Sequence, residues 1–228
     1  MPLPSQDNSV AKDYCAPVVG LVGGIGSGKS ALAGWISQNA PVEVIDGDQL
    51  GHQALQDPTL ARTVLDRFPQ ASQDTNQTDQ PTVDRKALAQ VVFGNDHKSQ
   101  AARNDLEAIV HPFIHRRLKD LIDEHHTRDD CEAILVDAAV MFEAGWNQLC
   151  NHVVFVDAPQ ALRLERVGTT RNWNQADYLA RQSSQWPLEK KQDSADSSVN
   201  NSGSLEESGG RLLTLIHSLR GKASASCS

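Results

Sequence analysis

Gly23, four further residues and then Gly28-Lys29-Ser30 set the most specific spacing in the chain, inside the stretch V-V-G-L-V-G-G-I-G-S-G-K-S that runs from Val18 to Ser30. Glycines at these points let the backbone curl with positive φ, so that successive N–H groups converge on one point. A helix opening straight after the turn adds its unpaired N-terminal donors and the positive end of its dipole to that point. Such a cradle suits a nucleotide phosphate. Lys29 would reach the β- and γ-phosphates, and the Ser30 hydroxyl would take a Mg²⁺ position. Gly24, Ile25, Gly26, Ser27, Gly28, Lys29, Ser30 and Ala31 are then the nucleotide-contacting residues.

Three more groups of side chains could join that chemistry. Asp46-Gly47-Asp48 follows a short apolar run, where open α/β sheets place reactive groups, at the carboxyl ends of their strands. A second reading makes Asp46 the cap of the next helix. Asp137 ends the run Ala133-Ile134-Leu135-Val136, and either supports Mg²⁺ or caps a turn. Residues 160–191 carry Arg163, Arg166, Arg171, Arg181, Lys190 and Lys191 in an otherwise acidic chain. They are either a solvated helix face or a lid whose guanidinium groups close on a transferring phosphoryl group.

The elements that must position these residues are legible as apolar patterns. Residues 18–22, 41–45, 133–137 and 153–157 read as strands, and residues 31–38 as the helix after the loop. Residues 49–126 are mostly helical in pattern. Leu60, Val64, Leu65 and Phe68 mark one helix, and Leu88, Val91 and Val92 mark a second that starts near Val83-Asp84-Arg85. A third runs through Leu106, Ile109, Val110, Phe113, Ile114, Leu118, Leu121 and Ile122, with an interruption expected at His111-Pro112. Residues 71–81 read as an exposed loop, residues 195–204 as a last strand and turn, and residues 205–219 as a closing helix. The expectation is an α/β protein with a parallel sheet flanked by helices. Its nucleotide-binding core spans residues 18–48, 130–158 and 193–220, around a helical substrate-binding insertion (49–129) and a helical lid (159–192). Residues 1–17 read as a disordered leader and 221–228 as a frayed tail.

Composition narrows the partners. The chain has 228 residues and a formal net charge of −8, which argues against a nucleic-acid backbone as ligand. Cys15, Cys131, Cys150 and Cys227 are far apart and form no C-x-x-C pair, so thiols in a reducing compartment are expected. No apolar run approaches the ~20 residues that span a bilayer, and the N-terminus lacks the marks of a signal peptide. A cytoplasmic monomer without membrane or nucleic-acid partners is the expectation.

In order along the chain, the motifs resemble those of the dephospho-coenzyme A kinases. The loop Gly23–Ser30 is joined by Val44-Ile45-Asp46-Gly47-Asp48, by Val83-Asp84-Arg85-x-x-Leu88 with Val92-Phe93, and by Leu106-Glu107-Ala108-Ile109-Val110-His111-Pro112. Phe142-Glu143-Ala144-Gly145 follows, then Gln185-x-Pro187-Leu188-Glu189-x-Lys191, Ala195-Asp196 and Asn201-Ser202-Gly203-Ser204. The resemblance covers about Val18 to Leu219. It implies that Mg·ATP phosphorylates the ribose 3′-hydroxyl of dephospho-coenzyme A, giving coenzyme A and ADP. It also implies roles. Asp48 would accept the proton of the attacking hydroxyl, and Lys29 with the loop amides would stabilise phosphate charge. Ser30, Asp48 and Asp137 would hold Mg²⁺, and Asn201 would lie near the adenine of ATP. Arg166 and Arg171 would neutralise the moving phosphoryl group from the lid, while Arg85, His111 and Glu143 would border the acceptor.

The chain departs from the family pattern in three places. Ala31 stands where a threonine is common, and Ala139-Val140-Met141-Phe142-Glu143 replaces a segment that usually opens with proline. Arg166 and Arg171 are five positions apart where the family's lid arginines are four, with Thr170 at the expected place. Two other readings compete: a different small-molecule kinase, such as a nucleoside monophosphate kinase, or a nucleotide-dependent switch. No N-K-x-D guanine-reading tetrad is present to favour the switch with GTP.

Overall fold

Runs of β-branched residues set the strands of this chain, and its computed structural model describes residues 16–72, 81–94, 96–128 and 130–226. Five strands form one sheet: β1 (Val18–Gly23), β2 (Val42–Asp46), β3 (Ala133–Asp137), β4 (His152–Asp157) and β5 (Ser197–Asn200). Their order is β2-β3-β1-β4-β5, and every pairing is parallel. A parallel sheet must be covered on both faces. Alternation along β1 achieves this. Val19 and Leu21 pack under α1 (Lys29–Asn39) and α9 (Leu205–Ser226) with Leu32, Ile36, Leu212 and Ile216. Val18 and Val22 face the other way, against Ile114, Leu118 and Ile122 of α5 (His97–His126).

Between β2 and β3 the chain runs through α2 (Gly47–Ala54), α3 (Pro58–Arg67), α4 (Arg85–Val92) and α5. Ala61, Val64, Phe68, Leu88, Val92 and Ala102 give this helical stretch a core of its own. An isolated antiparallel bridge joins Ser72 to Val83. Between β4 and β5 lie α6 (Gln160–Arg171), α7 (Gln175–Gln182) and α8 (Leu188–Asp193). Among the described residues no helix is long and apolar enough to cross a membrane.

The strands expected from pattern coincide with those observed to within a residue or two. Two helices differ. α5 passes through Pro112 without the expected interruption. A proline inside a helix typically costs ~3 kcal/mol or more. Here burial of Ala102 on one side of the proline, and of Ile114, Leu118 and Ile122 on the other, holds both halves in one helix. α9 continues to Ser226 instead of stopping at Leu219. The segment after Leu219 contains no proline, and its alanines favour helix. Most of the expected leader (residues 1–15), most of the expected loop (73–80) and the last two residues lie outside the described residues.

Candidate active site

The glycine-rich turn sits between β1 and α1, at the carboxyl edge of the sheet. Gly26 (φ 78°) and Gly28 (φ 89°) take the left-handed conformation that the sequence requires of them. Gly28 is the N-cap of α1 and offers no side-chain cap, and no acidic residue occupies the helix's first turn. The helix's first N–H groups are thus left for an anion.

α6 backs this turn along one face. The backbone carbonyl of Arg163 and the side chain of Val167 occupy the space a Cβ on Gly26 would need. Ile25 packs against Val167 and the fully buried Tyr178. Arg166 donates from Nη1 to the Ser27 carbonyl (3.0 Å) and from Nη2 to the Asn201 carbonyl (2.9 Å). Buried Asn201 donates from Nδ2 to the same Ser27 carbonyl (2.8 Å), and its own N–H bonds the Asp157 carbonyl at the end of β4 (2.7 Å). Arg166 is therefore a brace of the loop. These two bonds use two of its five N–H donors.

The carboxylates sort themselves by position. Asp46 accepts the Gln49 N–H (3.0 Å) and caps α2, as its second reading supposed. Asp137, opposite Asp46 in the β2–β3 register, accepts the Ser30 hydroxyl. Asp48 lies in the first turn of α2. Asp48 is partly open to solvent, yet desolvation by its surroundings, then the charge of Asp137, push its carboxyl above the usual aspartate range; Lys29 and Arg171 oppose that rise. Asp48, Asp137, Lys29 and Arg171 thus act on one small volume beside the loop. Among the described residues no group of three or more His, Cys, Asp or Glu side chains is placed to hold a metal unaided. The hydroxyl of Ser30 and the carboxylates of Asp137 and Asp48 are hard oxygen donors whose mutual repulsion a divalent cation would relieve. They fit Mg²⁺ bound partly through substrate phosphates.

Beside α8, half-buried Glu143 accepts the Trp186 N–H (2.7 Å) and the Lys191 ammonium (2.9 Å) on Oε1. Its Oε2 is buried without a partner. Lys191, buried, donates to the Ala139 carbonyl (2.7 Å) and Gln185 Oε1 (3.1 Å). Burial pulls its ammonium below the usual lysine range, while Glu143 opposes and Lys29 reinforces that shift. Glu107 is pushed up by burial, held back by Arg103 and raised further by Glu143. His111 meets the Trp146 ring edge-on (centroids 5.4 Å apart), and burial lowers its basicity. Arg85 stands apart, with an exposed guanidinium that donates to His52 Nε2, so that nitrogen presents its lone pair.

Of the residues singled out from the sequence, Gly24–Ala31, Asp48, Asp137, Arg166, Arg171 and Asn201 gather at the loop, and Glu143 and His111 at Trp186 and Trp146. Arg85 meets His52 of α2. In the sequence, Lys191 stands out only as one of the cations of residues 160–191 and as part of a motif, and Glu107 only as part of a motif. The signal for Lys191 was its place, six residues after Gln185 in the C-terminal signature, where a buried cation needs an anion.

The dephospho-CoA kinase family model matches residues 17–207. A protein named dephospho-CoA kinase from Carboxydothermus hydrogenoformans is 31% identical over 90% of this chain and 96% of its own length. Another of that name, from Parasynechococcus marenigrum, is 33% identical over 83% of this chain and 89% of its own. Among solved structures, TT1252 from Thermus thermophilus superposes with a TM-score of 0.73 at 29% identity, covering 89% of this chain and 96% of that one. A dephospho-CoA kinase from Campylobacter jejuni shares the fold, with a TM-score of 0.63 at 22% identity over 90% of this chain and 98% of that one.

Proposed function

The chain belongs to the dephospho-CoA kinase family, and from that premise we propose how its own residues carry the reaction. The γ-phosphoryl group of ATP moves to the ribose 3′-hydroxyl of dephospho-CoA: a bond forms between the 3′-oxygen and phosphorus, the β–γ bridging bond breaks, and CoA and ADP leave. The observation that carries the assignment of roles is the convergence of Asp48 on Lys29 and on the Ser30–Asp137 pair beside the loop.

A ribose hydroxyl is a poor nucleophile, so its orientation matters more than its full deprotonation. Asp48 accepts the hydroxyl proton and holds the oxygen in line. The loop N–H groups and Lys29 take the charge that grows on the leaving β-phosphate. Ser30 and Asp137, with Asp48 beside them, would hold Mg²⁺, which supplies charge neutralisation on the phosphates when bound. Arg171, whose charge is felt at Asp48, serves the transferring group. Arg166 and Asn201 keep the loop in shape from behind. Glu143 and His111 line the acceptor's wall. The free Oε2 of Glu143 is an acceptor for a substrate hydroxyl or N–H.

The test is ADP release with Mg·ATP in the presence of dephospho-CoA, AMP, CMP or shikimate. Release that depends on dephospho-CoA and yields CoA is the expected result. Release with another acceptor alone would reassign the acceptor wall and leave the loop chemistry standing.

A further inference from the structure

Residues 171–181 and the helical stretch before β3 meet through a stack of guanidinium groups and rings, of which the chemistry above uses Arg171 alone. Trp173, just after α6, lies between two cations: the Arg171 guanidinium is 4.9 Å from its ring centroid and that of Arg181, on α7, is 4.1 Å. Arg181 also sits over Phe93, at the end of α4 (6.0 Å), and Arg103 of α5 lies over the same ring (5.7 Å). Phe93 remains 47% exposed.

The charges of this stack are felt at the residues proposed for the acceptor. At one end Arg171 acts on Asp48; at the other Arg103 acts on Glu107, which in turn feels Glu143. Glu143 holds Lys191, which feels Lys29. The groups thus run in a ring from the proposed proton acceptor back to the loop.

The charges of the stack are not spent. Among the described residues Arg103 and Arg171 make no ion pair with a carboxylate, and the carboxylate paired with Arg181, Asp177, stands 3.9 Å away. Arg103 gives Nε and Nη2 to the Val92 carbonyl (3.2 and 3.1 Å) and Arg181 gives Nη1 to the Asp177 carbonyl (3.3 Å), so the in-plane N–H groups of Arg103 Nη1 and of Arg181 Nε and Nη2 remain to grip phosphate oxygens. In a chain of net charge −8, such a concentration of cations calls for an anion.

We propose that Arg103 and Arg181, held by Phe93 and Trp173, form the subsite for the acceptor's diphosphate and so select acceptors that carry one. This rests on the acceptor assigned above. The ribose hydroxyl sits at Asp48, and the diphosphate on the same nucleoside lies along the stack beyond Arg171.

The experiment compares Arg103→Met and Arg181→Met with the unaltered chain, under saturating Mg·ATP, on dephospho-CoA and on adenosine, which keeps the ribose and lacks the diphosphate. Methionine keeps an apolar stem against the rings and removes the charge. Each substitution should raise KM for dephospho-CoA at least tenfold, leave KM for ATP within twofold, and leave kcat/KM for adenosine unchanged. Arg181→Lys should recover only part of the loss, because it restores charge without the fork. An unchanged KM for dephospho-CoA, or an equal loss on adenosine, overturns the subsite. If the unaltered chain does not phosphorylate dephospho-CoA, the acceptor assignment has failed. Calorimetric binding of dephospho-CoA to the ADP-loaded protein then judges the subsite: a tenfold weakening by Arg181→Met supports it, and unchanged or absent binding overturns it.

Discussion

On the nucleotide side of the cleft, glycines with no room for a side chain lie against α6 and Asn201. The carbonyl of Ser27 is held by two donors from distant parts of the chain. On the acceptor side, the contacts are between side chains: an ammonium on a carboxylate, rings edge to face, guanidinium groups over Trp173 and Phe93. The first arrangement is fixed before any ligand arrives, as electrostatic stabilisation of a developing charge demands. The second can adjust, which suits a wall that must admit a large flexible acceptor and then exclude water. If this contrast is right, changes on the two sides should separate cleanly in their effects on ATP and on the acceptor.

The largest effect should come from the group between the two sides. Asp48→Asn keeps the shape and removes the proposed proton acceptor, so kcat should fall by about 10²–10⁴ while ATP affinity holds. Single-turnover kinetics together with a nucleotide titration measure both. Near-normal turnover would take Asp48 out of the chemistry.

Lys191→Met tests whether the acceptor wall stands on its ion pair. The substitution leaves Glu143 charged, half-buried and short of its cation, which costs up to about 3 kcal/mol. The melting temperature should drop accordingly, and adding Glu143→Gln should recover much of the loss. Recovery by the second substitution is the decisive reading, since simple loss of packing would not be repaired by it.

On the nucleotide side, Gly28→Ala should act through ATP alone. Gly28 sits at φ 89°, and a methyl group there would press on the Asn201 side chain. Left-handed backbone costs a non-glycine residue roughly 1–2 kcal/mol, or about tenfold in ATP affinity. KM for the acceptor should stay put. A matching change in both constants would mean the two walls are mechanically one.

The same contrast explains what the sequence could tell. The strands, the loop and its helix were legible because each is specified by neighbours: an apolar run, a glycine spacing, a lysine-serine pair. Asp48 was legible from its place after β2. Arg166 was read as a lid residue because its neighbours in the chain suggested a basic helix. Its partners, Ser27 and Asn201, are 139 and 35 positions away. Pro112 was read as a break because the rule for prolines is local, whereas the burial that keeps α5 whole is not. The Arg–aromatic stack draws on α4, α5, α6 and α7, and no single stretch carries its pattern.

The smallest effect concerns stability and follows from Asp48 again. Desolvation and Asp137 raise its carboxyl above the ordinary aspartate value of 3.8 in the folded chain. A carboxyl raised on folding stabilises the fold below its unfolded value, and that contribution is lost as pH climbs through the raised one. At neutral pH the ionised Asp48 is therefore a burden on the empty protein, of the kind an active site carries for function. Asp48→Asn should melt above the unaltered chain near pH 7, and the gap should close as pH falls towards 3.8. Mg·ADP should narrow the gap at neutral pH as well, because a cation between Asp48 and Asp137 removes the repulsion that the substitution removes. Thermal melts at several pH values, with and without Mg·ADP, measure it. A gap that ignores both pH and Mg·ADP would mean that the two carboxylates do not share one site.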